Sequence, residues 1–138
     1  MASILKVDTV TGVTTAGSIA ITGEGNSTTT NLQQGLAKAF ISMPADQASI
    51  SKSFNVSSLD DDGTGDAGIN ITNAFSDANH AVSAGITYDS STNDSLRHVY
   101  VSTQTSSTIE TESGYSNSTT NFTFFDVAKV YTSHGDLA

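Results

Sequence analysis

The chain has 138 residues, no cysteine, 5 Lys and Arg against 14 Asp and Glu, and a formal charge of −9. That charge repels phosphate backbones and anionic bilayers, so nucleic-acid and membrane-surface partners are not expected. Without thiols, disulfide frameworks and thiolate metal sites are excluded. Only 14% of residues are charged, and Ser, Thr, Asn and Gly supply the polarity, which suits hydroxyl-rich strands facing water outside a cell.

Residues 1–30 stand apart and predict an N-terminal arm. ILKVDTV, at 4–10, and SIAIT, at 18–22, each read as a strand, with polar linkers between and after them. So few apolar side chains cannot close a core alone, so the arm is expected to pack on a neighbouring subunit or larger scaffold. The opening residues have no basic n-region followed by an apolar h-region, so export by the usual route is not expected. No apolar run approaches the roughly 18 residues that a membrane span needs.

The period changes at 30–43, where Leu32, Leu36, Ala39, Phe40 and Met43 fall at helical spacing. Thr30 and Gln33 fit a capping box, while Gly35 weakens a helix. A helical turn at 31–37 running into a strand at 38–43 is expected, ended by Pro44.

From 49 to 137 the chain reads as an antiparallel β domain, with strands near 50–58, 67–75, 79–88, 97–104 and 120–131. The clearest alternation runs through FNVSS, GINIT and HAVSAGITY. DDDGTGD, SDAN, DSSTNDS and ESGYSNS read as connections rich in Asp, Asn, Gly and Ser. Strand 120–131 carries apolar groups on both faces, which predicts a central strand or one whose second face meets another subunit. The expected fold is all-β, an antiparallel β-sandwich or jelly-roll-like knob over residues 31–138 with the extended arm in front.

Chemistry is hard to find. Asp60, Asp62 and Asp66 crowd one Gly-bearing segment and form a weak Ca²⁺ candidate, but the EF-hand pattern fails, and a solvated turn with Gly63 and Gly65 at positive φ is the simpler reading. No other metal site and no cofactor is expected. His80, His98 and His134 share no ligand spacing and read as surface or interface residues. No G-x-S-x-G elbow is present, Glu occurs only at Glu24, Glu110 and Glu112, and there is no Trp to stack on sugar, so an enzyme is not expected. Tyr115, in SGYSNS, is a candidate surface contact for glycan or protein. Low apolar content, 36%, together with the two-sided strand, predicts a homotrimer in which Phe122, Phe124 and Phe125 lie at or near the interface. Leu137, the last apolar residue, is expected to tuck back against the end of the knob near that interface.

Three stretches resemble virion proteins of tailed phages, particularly marine ones infecting cyanobacteria. These are SILKVDTVTGVTTAGSI…TGEGNSTTTNLQQGLAKAF, then SFNVSSLDDDGTGDAGINITNAFSDANHAV, similar to the family's FNVSS…DNGTGDYTVNFT…ANYAV, and the terminal GDLA. Here Ala67 and Gly68 stand where the family has an aromatic and a β-branched residue, and His80 replaces a common Tyr. The resemblance implies a phage structural protein made in the host cytoplasm and carried on the virion surface. It implies a short trimeric tail or head fibre with contacts to other virion proteins and to host surface glycan. A capsid decoration protein and a carbohydrate-binding module are the alternatives.

Overall fold

The computed structural model describes residues 4–12, 19–22, 29–87, 97–116 and 122–138. The chain divides into two compact units, Met1–Leu36 and Ala37–Ala138. The sequence pattern put that division after residue 30.

In the first unit β1 (Ala20–Thr22) pairs antiparallel with β2 (Thr29–Asn31), and one helical turn, α1 (Leu32–Gly35), follows. The Leu32 amide donates to the Ile19 carbonyl at 2.8 Å, closing the start of that turn. Residues 4–10 form no strand, contrary to the reading of ILKVDTV. A strand exists only by its ladder to a neighbour, and no described strand pairs with this segment.

The second unit is all-β, with antiparallel sheets facing each other as in a sandwich. One sheet orders β4 (Lys52–Phe54), β3 (Ala39–Met43), β11 (Lys129–His134) and β7 (Ala81–Ile86). The other is built around β9 (Thr108–Ser116). Along one edge of β9 lies β8 (Arg97–Gln104); along its other edge lie β6 (Asp66–Ile71) and β10 (Phe122–Phe124), end to end. Outside β6 comes β5 (Val56–Gly63). Alternation sends Ala39, Ile41, Met43 and Tyr131 from the first sheet against Ala67, Ile69, Ile71 and Ile109 from the second. Phe75 closes one end of this core.

Two expected strands and one expected turn fold differently. The span 50–58 is interrupted at Asn55, whose φ of 58° lies in the left-handed region that Asn tolerates best after Gly. Its side chain donates to the carbonyls of Lys38 and Asn73, both at 3.0 Å, and accepts from the Asn73 amide at 2.7 Å. This pivot sends β4 to one sheet and β5 to the other. DDDGTGD is mostly strand: β5 runs to Gly63, Thr64 and Gly65 turn, and β6 begins at Asp66. Gly63 and Gly65 take positive φ, 136° and 76°. The span 120–131 is two strands, β10 and β11, in different sheets, joined by the irregular residues 125–128.

Candidate binding surface

The register sets the solvent face of the β9 sheet. His98, Gly114 and Phe124 lie in one cross-strand row. Tyr100, Glu112 and Asp66 form the next, and Thr103, Glu110, Gly68 and Asp60 the one after. Paired residues point to the same side, so this face carries aromatic groups at one end and carboxylates at the other.

At the aromatic end Phe122 packs edge-on against Phe124, ring centroids 5.3 Å apart, and against Tyr100 at 6.0 Å. All three stay exposed, Phe124 by 47%. Gly114 makes this cluster fit. A Cβ there would stand 2.6 Å from the Phe122 ring and would press on the Thr123 carbonyl. Tyr100 Oη donates to Glu112 Oε2, and this bond, more than burial, raises the Tyr100 pKa. Phe125 does not share the face. Lying just past β10, it meets Tyr115 edge-on at 6.3 Å and takes the Arg97 guanidinium over its ring at 5.0 Å.

At the acidic end Gly68 leaves room for crowding. A Cβ on it would lie 2.9 Å from Glu110 Oε2 and 3.5 Å from Asp62 Oδ2. Burial, then the Asp62, Asp66 and Asp60 charges, raise the Glu110 pKa; burial, then Asp62 and Glu112, raise that of Asp66. Asp60 accepts from Asn70 Nδ2 at 2.8 Å. Among the described residues no group of three or more His, Asp or Glu is arranged to hold a metal ion. The proposed Ca²⁺ set, Asp60, Asp62 and Asp66, therefore forms no ready-made cage here.

Other sequence-singled residues fall elsewhere. Tyr115 is no loop residue: it sits half-buried in β9, paired with Arg97 and Thr123. The Leu137 side chain is 39% exposed, while its backbone bridges to Phe75. His80 is buried, contrary to a surface assignment. It stacks on Phe75 at 3.9 Å, donates from Nε2 to the Thr105 carbonyl at 3.0 Å, and places Nδ1 2.7 Å from Ser133 Oγ. A Ser–His contact of this kind invites a hydrolytic reading. Ser133 is only 1% exposed, however, and no substrate reaches it. His98 is exposed and His134 half-buried.

The face as a whole offers apolar ring surfaces and carboxylate acceptors in one plane. That set matches the CH faces and hydroxyls of a sugar, or an apolar and basic protein surface. Comparison with protein-family models, with curated proteins and with solved structures gave no match.

Proposed function

We propose that the chain is a structural protein of a tailed-phage particle, a short trimeric fibre or knob fixed to the virion by its first unit. The carrying observation is the apolar surface of that unit. Ile4 and Leu5 are 78% and 83% exposed, and Val7, Val10, Ile21 and Leu36 are exposed as well. Every buried apolar side chain among the described residues belongs to the second unit. Apolar surface of this extent on a small segment is what a docking arm presents before it meets its partner. The three stretches that resemble phage virion proteins support the same reading, and a capsid decoration protein would use the arm in the same way. The test replaces Leu5 and Val7 with Asp in the full chain. Incorporation into particles should fall at least tenfold while the melting temperature of the second unit is unchanged. Normal incorporation would refute the anchoring role.

A second reading, attachment to host surface glycan, is favoured by the Tyr100–Phe122–Phe124 cluster beside Glu112. Isolated protein should bind host polysaccharide, and Phe124→Ala should weaken that binding about tenfold, the loss of one stacking ring. Absence of binding by the unaltered protein would remove this reading and leave the structural one intact.

A further inference from the structure

Beneath the turn between β5 and β6 three polar side chains meet inside the sandwich. Lys129, on the inner face of β11, is fully buried, and Gln47, in the loop after β3, is 1% exposed. Lys129 Nζ donates to Gln47 Oε1 at 2.6 Å, which holds the amine against the side-chain amide. Gln47 Nε2 donates to Asp126 Oδ1 at 2.8 Å, and the same oxygen accepts the Gly65 amide at 2.5 Å. Nζ also points at the Gly65 carbonyl, 3.3 Å away. Gln47 holds a φ of 55°, unusual for a non-glycine residue, and that backbone turn aims its amide inward.

A buried amine and a buried primary amide, with a half-buried carboxylate bonded to that amide, have the parts for amide exchange. The geometry points to an autocatalytic isopeptide bond between Lys129 and Gln47, with Asp126 as the proton carrier. The uncharged Nζ attacks Cδ of Gln47 while the carbonyl π pair moves onto Oε1. Asp126, already bonded to Nε2, takes one proton from Nζ and delivers it to Nε2. The Oε1 pair re-forms the carbonyl, the Cδ–Nε2 bond breaks, and ammonia leaves. Lys-NH₂ and Gln-CONH₂ become one secondary amide plus NH₃, with no oxidant, metal or co-reactant.

Two features favour the step over a plain hydrogen-bonded network. Burial pushes the Lys129 pKa down to about 8, against the raising effect of Asp126 and Asp66. The attacking, uncharged amine is then about a tenth of the population at pH 7. The two groups are also held in hydrogen-bond contact by separate segments of the fold, which replaces a bimolecular encounter by an intramolecular one. The bond would join positions 82 apart in sequence, tying the loop after β3 to β11. This inference does not depend on the proposed virion role.

The test is intact-mass spectrometry of the purified full chain. The expected mass is about 17 Da below the sequence value, the loss of one ammonia. Trypsin should fail to cut after Lys129 and should release residues 39–52 joined to 98–138 as one branched peptide. Lys129→Met and the near-isosteric Asp126→Asn should both restore the full mass. A wild-type mass equal to the sequence value, or a free 39–52 peptide, would overturn the proposal. So would a deficit that survives Lys129→Met, since ammonia would then come from another residue.

Discussion

Thr111 and Ser113 explain at the level of single side chains why a central strand hid in the sequence. Both are fully buried, at positions where alternation calls for apolar residues. Each hydroxyl finds a main-chain acceptor: Thr111 donates to the Ala67 carbonyl at 2.9 Å, and Ser113 reaches the carbonyls of Gly65 and Phe125 at 3.1 and 2.9 Å. A satisfied hydroxyl costs little to bury, but in the one-letter sequence it looks like a loop. Gln47 was invisible as a partner of Asp126 and Lys129 for a related reason: it lies 79 and 82 residues from them in sequence and meets them only because β3 pairs with β11. The buried ionisable groups also make a prediction. Burial lifts the Tyr131 phenol to about 12, above its ordinary value of 10.0. The unfolded chain therefore loses that proton first, and stability falls between about pH 10 and 12, by about 2–3 kcal/mol for a difference of this size. Lys129, if its amine is free, acts in the opposite sense. Its folded pKa of about 8 lies below 10.5, so stability rises as pH passes from about 8 to 10.5. Asp126 and Asp66 are the charges acting on it. Urea unfolding across this range should show the Tyr131 loss in the parent protein and not in Tyr131→Phe. A cross-linked chain should lack the Lys129 rise, because an amide does not titrate there.

Among the elements, strand existence was easier to read than strand ends. β8 matches the span drawn from RHVYVSTQ, and α1 with β3 falls where the change of period put it. β9 was read as a connection, and Tyr115 was placed in a loop on that basis. The run NFTFFDVAKVY was read as one strand, and its two apolar faces as those of a central or interface strand. The structure spends residues 125–128 on crossing between sheets, with Asp126 turned inward to the Gly65 amide and Gln47. The short β10 then depends on Gly114. Its missing side chain admits the Phe122 ring and the Thr123 carbonyl against β9. Gly114→Ala should cost about 1–3 kcal/mol, the range for forcing extra atoms into a packed site. The damage should be local: amide exchange of β10 and the irregular segment should accelerate, while the β6–β9 ladder keeps most of its protection. Uniform acceleration through both sheets would show that β10 is integral to the global fold, and an unchanged protein would show that the Phe122 ring moves aside freely.

On the scale of the whole molecule, the all-β sandwich was legible because its inner faces are built from period-two Ile, Ala and Met. Partner surfaces were less so, because a residue exposed on one chain and buried in an assembly has the same letter as a core residue. Phe122, Phe124 and Phe125 are each more than a third exposed, and Phe125 looks away from the other two. If the trimer forms through the Phe122–Phe124 face, replacing both by Ser should release monomers, seen as a fall in light-scattering mass from near three chains to one. Monomer stability should change by less than about 1 kcal/mol, since neither ring belongs to the core. Ile69→Ala is the contrasting control: 1% exposed at the centre of the sandwich, it should cost about 2–5 kcal/mol through the cavity it leaves. Leu137 separates the two kinds of effect at the C-terminal end. The backbone there is already fixed by the Phe75 bridge, by the Ser76 amide on the Asp136 carbonyl at 2.8 Å, and by the Ala138 amide on Ala74 at 2.9 Å. Gly135 lies flat under Phe75 and His80, where a Cβ would come within 2.8 Å of His80. These bonds do not need the leucine side chain, so Leu137→Asp should leave the monomer melt nearly unchanged. A loss of trimer mass from that same substitution would then place the C-terminal end in the subunit contact. A lowered monomer melt with intact trimers would instead make Leu137 part of the core's lid, and its contribution would be within the chain.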